Sequence, residues 1–394
     1  MSSESKTSST TVSTVYVGMD VHKDSVMVAV LPAAAPQPIA VDRLPNDSAV
    51  LRRFFTRLAR EGTTVRACYE ASGAGYVLQR AIEEWGHTCI VVAPSMTPQR
   101  PGHQRKHDKR DAIQLARLFR AGELDAIRIP STADERVRDL VRCRQTLQQN
   151  VLRARHYVSK FLARRGFVFR QATLWHRAHF RWLHALLAGT GARALASEDT
   201  LVLGEYLALL EYTLARRDAL DEQLETLART PAYAAPVGRL KCFRAIDTLS
   251  AMVLITELGD WRRFQRPAQL MAYWGLVPTE HSSGPRERRG SITKAGNSHC
   301  RHILVQAAWH YRHRPAISGA LKERQRGQPA TVIAHAWKAQ HRLYTLYHRL
   351  AARRPTQIAV VATARELVGF LWATMRDLRD GLAETELQPG GLLA

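Results

Sequence analysis

The first 130 residues contain apolar runs whose type and order strongly restrict the fold. Five runs are rich in β-branched residues and predict strands, at residues 14–20, 25–31, 39–43, 64–70 and 88–93. The first two are separated by only four residues, which is short enough for a hairpin. Helical spacing of apolar residues predicts a helix after Asn46-Asp47-Ser48, a second at residues 73–85 and a third from Asp108 onward. The pattern predicts an α/β domain.

Four carboxylates lie at the ends of these predicted elements. Asp20 ends the first strand and Glu70 the fourth, while Asp108 and Asp111 open the third helix three residues apart, on one face. Like charges held about 4 Å apart repel unless a cation joins them, and oxygen ligands suit Mg²⁺ or Mn²⁺. Singly, each acid could be a turn residue, a strand-end charge or a helix cap. Together, in an element order that is ribonuclease H-like, they favour a divalent metal site.

The charge of the chain indicates its class of partner. It has 57 Lys and Arg against 35 Asp and Glu, a formal net charge of +22 spread along the whole length. This excess predicts a polyanionic partner, with nucleic acid favoured over a membrane surface. No run of 18 apolar residues is present, so no spanning helix is predicted, and the polar N-terminus lacks the apolar core of a signal peptide. Five scattered cysteines favour a reducing cytoplasm and disfavour structural zinc.

The segment between Pro130 and Pro231 contains no proline and alternates basic and apolar residues at helical spacing. Some apolar residues repeat at seven positions, as Leu140 and Leu147 do, which predicts long paired helices, a coiled coil that could join two copies of the chain. Arginines and aromatic residues are interleaved from residue 153 to residue 182. Such a mixture can bind phosphates and stack on unpaired bases, but a helix-bundle core with a solvated arginine face explains it equally well.

A glycine- and serine-rich segment crowded with cations occupies residues 275–297. Its serines include Ser282, Ser283 and Ser291. The basic residues predicted to contact nucleic acid are Arg286, Arg288, Arg289 and Lys294. Guanidinium groups beside a serine would neutralise the charge of a phosphate that the serine attacks. The same residues would also form a passive phosphate-binding loop, and chemistry alone favours passive binding.

Five motifs follow one another along the chain: Val17-Gly18-Met19-Asp20-Val21-His22-Lys23, Tyr69-Glu70-Ala71-Ser72-Gly73, Lys106-His107-Asp108-Lys109-Arg110-Asp111-Ala112, Glu257-Leu258-Gly259-Asp260 with Arg263-Phe264, and the block from Gly275-Leu276-Val277-Pro278 to Gly296-Asn297. This ordered set, from about residue 15 to residue 372, resembles the DEDD-type insertion-sequence transposases. Members of that family are implied to be bridge-RNA-guided recombinases. No single motif is specific, but the ordered set is.

The resemblance implies a RuvC-like (ribonuclease H-fold) N-terminal domain, an α-helical coiled-coil connector and a mainly α C-terminal transposase domain. It implies a Mg²⁺-binding tetrad of Asp20, Glu70, Asp108 and Asp111. It also implies that Ser283 attacks DNA and holds it as a phosphoserine, which reverses the preference for passive binding. Ser282 is an adjacent rival and Ser291 a weaker one. The implied partners are the DNA of the element ends and target, and a structured guide RNA from the element.

We therefore expect five parts along the chain: a disordered N-terminus at 1–13, the RuvC-like domain at 14–130, the connector at 131–235, the transposase domain at 236–375 and a disordered tail at 376–394. The expected function is RNA-guided DNA cleavage and exchange by a dimer or tetramer, in the bacterial cytoplasm and without membrane contact. The alternatives are a metal-dependent nuclease or junction resolvase without a covalent intermediate, and a non-catalytic nucleic-acid-binding protein.

Overall fold

The computed structural model describes residues 13–98, 107–190, 193–280 and 289–376. The chain divides into two compact units, Met1–Ile129 and Pro130–Ala394. The predicted connector and transposase domain both fall in the second unit, and the boundary between them stays a prediction.

The N-terminal unit is built on a five-stranded mixed sheet. Its strands are β1 (Thr14–Val21), β2 (Ser25–Pro32), β3 (Ala40–Pro45), β4 (Thr64–Glu70) and β5 (Thr88–Val92), in the spatial order β3-β2-β1-β4-β5. Strand β2 is antiparallel to β1 and β3, whereas β1, β4 and β5 are parallel. The helices are α1 (Ser48–Leu58), α2 (Val77–Glu84) and α3 (Asp108–Ala121). The predicted α/β domain is confirmed, and its architecture is consistent with a ribonuclease H-like fold.

Strand side chains alternate between two helical layers of this unit. On one face of the sheet, Val17 and Met19 of β1 belong to a core that includes Phe55 of α1 and residues of α2. On the other face, Met27, Ala29 and Leu31 of β2 pack against Ala112 and Ala116 of α3. The predicted acids of β1 and β4 alternate with residues of the first core. They therefore belong to the face that α3 covers.

The second unit is mainly helical. Its helices are α4 (Thr132–Arg164), α5 (Arg177–Leu187), α6 (Ser197–Leu227), α7 (Pro231–Lys241), α8 (Thr248–Leu258), α9 (Pro267–Tyr273), α10 (Ser298–Trp309), α11 (Gly319–Gln325), α12 (Ala330–Ala351) and α13 (Thr356–Arg376). Two short strands, β6 (Pro278–Glu280) and β7 (Arg289–Ile292), pair antiparallel between α9 and α10. One large apolar core joins α7, α8, α10, α12 and α13. A separate core joins the C-terminal half of α4, the N-terminal half of α6 and helix α5.

Helices α4 and α6 form an antiparallel pair within one chain. Near one end of the pair, Arg144 of α4 forms a bidentate ion pair with Asp221 of α6. Toward the other end, Nη2 of Arg165 lies 2.6 Å from Oδ1 of Asp199. The helical part of the connector prediction is confirmed, and the partner of α4 is α6 of the same chain, with α5 between them in sequence. A coiled coil that joins two copies stays a prediction.

Helix α13 is long and apolar enough, by length and composition, to cross a membrane. The sequence predicts no spanning helix because Arg365 and Glu366 interrupt its apolar run. More than half of its most apolar stretch is buried, and Leu367 and Leu371 belong to the main core of the second unit. Buried core helices of soluble proteins can be equally long and apolar, so α13 alone is weak evidence for a membrane span.

Candidate metal site and serine segment

Asp20 and Glu70 occupy neighbouring positions at the ends of two parallel strands. Met19 of β1 is paired with Tyr69 of β4, and each acid follows one residue later. Because Met19 and Tyr69 point into the core shared with α1, the next residue on each strand belongs to the opposite face. Adjacent strands lie about 4.8 Å apart. The Cα atoms of Asp20 and Glu70 therefore lie on adjacent strands, on the face of the sheet that α3 covers.

Helix α3 packs backbone to backbone on β1 at Gly18. A Cβ at Gly18 would lie 2.2 Å from the carbonyl oxygen of Ala112 and 2.4 Å from the amide nitrogen of Ala116. No side chain fits in that space, so glycine is what permits the contact. Asp108 precedes Ala112 by one helical turn, and Asp20 follows Gly18 on the same face of β1. The close approach at Gly18 thus brings Asp108 beside Asp20.

Asp20, His22 and Asp108 form a compact group of potential metal ligands. Nε2 of His22 lies 3.1 Å from Oδ2 of Asp20 and 3.5 Å from Oδ2 of Asp108. One ligand atom from each residue lies within 4.8 Å of the other two. The side chains are 18%, 39% and 37% exposed, in that order, so the group is open to a substrate. Its size, charge and openness fit a divalent ion that also contacts a phosphate.

His22 has no role in the predictions made from the sequence, although it belongs to the first motif. Imidazole is chiefly a ligand of zinc and later transition metals, whereas Mg²⁺ and Mn²⁺ prefer oxygen. His22 therefore fits better as a donor whose Nε2–H bonds the Asp20 carboxylate and orients it. Its position two residues after the acid is a sequence signal that could have identified it.

Glu70 and Asp111 are not members of the 4.8 Å group. Glu70 ends β4 beside β1, and Asp111 lies in the first turn of α3, three residues after Asp108. Of the four predicted acids, the structure brings Asp20 and Asp108 into one group. Glu70 lies at the end of the neighbouring strand β4, and Asp111 lies on the same helix as Asp108.

The serine-rich segment is only partly described. Four of its predicted residues lie outside the described residues: Ser282, Ser283, Arg286 and Arg288. Arg289 and Ser291 belong to β7, which pairs with β6. Lys294 is exposed, with a left-handed φ of 55°, and its amide nitrogen donates to the carbonyl oxygen of Gly275 at 3.1 Å. The described strands on both sides of residues 281–288 are thus paired with each other.

Several aromatic residues between residues 161 and 182 pack on one another or on an arginine, while most arginines of this stretch are exposed. His179 stacks on Trp182 with ring centroids 5.6 Å apart, and the Arg155 guanidinium lies 5.3 Å from the centre of the Trp175 ring. Phe161 is buried. These contacts favour the helix-bundle interpretation for the residues named, while contact of exposed members with nucleic acid stays a prediction.

Comparison with known proteins identifies relatives over most of the chain. Residues 238–321 match the Transposase IS116/IS110/IS902 family, and residues 17–165 match a transposase family of the DEDD type found in IS110. The transposase for insertion sequence element IS1533 of Leptospira borgpetersenii is 31% identical over 348 residues, 86% of this chain and 97% of the relative. The Sinorhizobium fredii protein y4qE, named as a transposase, is 36% identical over 368 residues, 92% of this chain and 89% of the relative.

A mixed sheet with acids converging beside a helix, in a strongly basic chain, is typical of metal-using enzymes that act on nucleic acid. The chain belongs to the IS116/IS110/IS902 family of insertion-sequence transposases. It is therefore a DNA-processing enzyme. A DEDD-type domain implies use of a divalent metal, and transposition implies DNA binding.

Proposed function

We propose that this transposase cleaves and rejoins DNA at its element ends and at a target, using an acidic metal site and a serine nucleophile under the guidance of an RNA. The observation that carries the proposal is the convergence of Asp20, near the end of the central strand β1, and Asp108, at the start of α3. Two carboxylates this close repel each other, and a divalent cation between them removes the repulsion. Family membership makes DNA the substrate on which such a site acts.

The proposed ligands of Mg²⁺ or Mn²⁺ are Asp20, Glu70, Asp108 and Asp111. Their oxygens come from two strand ends and one helix start, and both ions prefer such oxygen donors. When bound, the ion supplies Lewis acidity toward a phosphate oxygen. His22 orients the Asp20 carboxylate through its hydrogen bond. The acids themselves fix where a scissile phosphate would sit.

Ser283 is the proposed nucleophile, with Ser282 and Ser291 as rivals. Its Oγ forms a bond to the scissile phosphorus while the bond from phosphorus to the leaving sugar oxygen breaks. The serine proton is lost to a base, and the leaving oxygen takes up a proton. The number of phosphate ester bonds is unchanged. A hydroxyl of a second DNA end can therefore reverse the step and join strands without an external energy source.

The proposed partners beyond DNA are a guide RNA and further copies of the chain. The net charge of +22 supports contact with more than one polyanion. Exposed apolar residues on one face of α6 support a contact with a second copy: Leu201 at 72%, Leu209 at 47% and Tyr212 at 67% exposure. The proposed location of the reaction is the bacterial cytoplasm, at the nucleoid.

Ser283→Ala is expected to abolish a covalent protein–DNA adduct. The protein is mixed with its candidate RNA, Mg²⁺ and labelled element-end DNA, denatured in detergent, and examined for label that migrates with protein. The wild type and Ser282→Ala should form the adduct, because only the Ser283 oxygen is expected to attack phosphorus.

Other outcomes would contradict this assignment. Cleaved DNA without an adduct in any variant would indicate hydrolysis by a metal-dependent nuclease. An adduct that persists in Ser283→Ala but disappears in Ser282→Ala or Ser291→Ala would move the nucleophile to that serine.

A further inference from the structure

A buried carboxylate lies near the end of α8, close to the described end of the serine-rich segment. The Glu257 side chain is 1% exposed. Arg142 of α4 binds it with both branches of its guanidinium, Nε to Oε1 at 2.6 Å and Nη2 to Oε2 at 2.8 Å. A buried charge is costly unless a partner with good geometry compensates it. This bidentate pair is such compensation, and it joins α8 to α4.

Asn297 connects the same carboxylate to the start of α10. Its Nδ2 donates to Oε2 of Glu257 at 2.6 Å, and its Oδ1 accepts from the amide nitrogen of Cys300 at 3.0 Å. The second contact makes Asn297 the N-cap of α10. Because both ends of its amide are used, its rotamer is fixed. We call Arg142, Glu257 and Asn297 the Glu257 network.

Asn297 directly follows the point at which the serine-rich segment closes on itself. A Cβ at Gly275 would lie 2.1 Å from the carbonyl oxygen of Ala295, and one at Gly296 would lie 2.0 Å from that of Tyr273. Both glycines have left-handed φ, 66° and 76°. The two ends of the segment therefore pass in backbone contact, which only glycine permits. A shift of Asn297 would therefore move the point at which the two ends of the segment meet.

A second contact joins α10 to α4 beside the network. Nδ1 of His299 lies 2.5 Å from Oε1 of Gln145. Gln145 follows Arg142 by three residues, so both lie on one face of α4. Helix α4 thus contacts the start of α10 directly through Gln145 and His299, and indirectly through Arg142, Glu257 and Asn297.

Arg142→Met is expected to reduce stability by an amount that grows with pH. Burial by itself raises the pKa of the Glu257 carboxyl, but Arg142, Asn297 and His299 together hold that pKa below its usual 4.5. In the wild type, the ionised Glu257 therefore contributes to the free energy of unfolding above about pH 4.5, and this contribution is lost only as pH falls below that value. Without Arg142, burial, the largest single influence on this pKa, is expected to outweigh Asn297 and His299 and to raise the pKa above the unfolded value. The folded variant then binds a proton that the unfolded chain has released, so its stability falls as pH rises through this range.

The measurement is the difference in unfolding free energy between wild type and Arg142→Met by urea titration at several pH values from about 4.5 to 7. The penalty should increase with pH. Arg144→Met is the matched control, because it breaks the Arg144–Asp221 pair, whose acid is 26% exposed. A penalty of Arg142→Met that does not change with pH would contradict the expectation. Cys300, packed beside Glu257, has a thiol pKa raised by burial and does not titrate in this range.

We infer that Glu257 and Asn297 are positioning residues for the serine segment, and that Arg142 makes the placement of that segment depend on helix α4. The inference rests on the proposed serine chemistry. The residues of the network are positioning residues and not catalytic ones. The network acts by fixing the backbone at residues 294–296, which connects residues 289–293 to the start of α10. The amide N–H of Thr293 donates a hydrogen bond to the carbonyl oxygen of Val277 at 2.9 Å. The end of the serine-rich segment therefore also fixes its beginning.

The test compares two variants of the network with a matched control on the same helix. Glu257→Gln keeps the size of the side chain and removes its charge. Asn297→Ser keeps a good helix cap and removes only the donor to Glu257. Arg144→Gln breaks an equally bidentate pair on α4 that does not reach α10. For each protein, the single-turnover rate of adduct formation at saturating DNA, the DNA dissociation constant and the melting temperature are measured.

Both network variants should form the adduct about 10- to 100-fold more slowly, with DNA affinity changed by less than about threefold, because misplacement of a nucleophile by about 1 Å costs this much in rate. Arg144→Gln should react as the wild type does. If Asn297→Ser, folded by its melting curve, reacts at the wild-type rate, or if Arg144→Gln is equally slow, the inference is wrong. An adduct that persists in Ser283→Ala would instead contradict the proposed nucleophile.

Discussion

Asp20→Asn is expected to slow DNA cleavage by more than about 100-fold while changing DNA affinity by less than about twofold. The substitution keeps the shape of the side chain and removes the charge that would hold a divalent ion between Asp20 and Asp108. Loss of a residue that merely supports a metal ligand costs about 10- to 100-fold, so loss of a ligand should cost more. The affinity should be preserved because DNA binding depends on the basic residues.

Asp24→Asn is the matched control for this experiment. Asp24 is an exposed acid four residues further along the chain, in the turn between β1 and β2, and it does not belong to the acidic group. Its removal changes the net charge by the same amount. Cleavage rates and DNA dissociation constants are measured for both variants in the presence of Mg²⁺. Equal activity of Asp20→Asn and Asp24→Asn would show that Asp20 has no part in the reaction.

Gly18→Ala is expected to destabilise the N-terminal unit by about 1–3 kcal/mol or more and to reduce cleavage along with it. The added methyl group would lie 2.2 Å from the carbonyl oxygen of Ala112, so α3 must move away from β1. Both neighbours are backbone atoms, which cannot turn aside as a flexible side chain does. The movement would separate Asp108 from Asp20 and open the acidic group.

The measurement is the unfolding free energy from urea titration, with cleavage assayed on the folded fraction. Gly73→Ala is the stability control in the same unit, because a Cβ there meets no heavy atom within 4 Å and its φ is not left-handed. It should be close to neutral. A stable Gly18→Ala variant with wild-type cleavage would contradict the role assigned to the backbone contact between β1 and α3.

The sheet and its helices could be predicted because local signals and tertiary packing agree in the N-terminal unit. The start of α1 follows from Asn46-Asp47-Ser48, and Asp47 does accept a hydrogen bond from the amide nitrogen of Val50 at 3.0 Å. Helix α2 begins at Val77, four residues later than predicted, because a turn with Gly75 at φ 63° precedes it. Local turn chemistry overrides helical periodicity there.

The contacts that matter most for chemistry depend on distant parts of the chain. Nothing in the sequence around Gly18 indicates that α3, about 90 residues later, needs its missing side chain. The position of Glu257 inside an apolar helix does not reveal that Arg142, on another helix, compensates its charge. The seven-residue repeats of α4 predict a helical partner but do not distinguish α6 of the same chain from a second copy. Spatial pairing of this kind requires the three-dimensional structure.

Mn²⁺ binding to the metal-free protein tests the central claim most directly. The paramagnetic signal of free Mn²⁺ is followed as protein is added, with Mg²⁺ as competitor. Wild type and Asp24→Asn should take up Mn²⁺ and release it to excess Mg²⁺, whereas Asp20→Asn and Asp108→Asn should bind at least about tenfold more weakly. Unchanged Mn²⁺ affinity in Asp20→Asn and Asp108→Asn would contradict a metal site formed by the end of β1 and the start of α3.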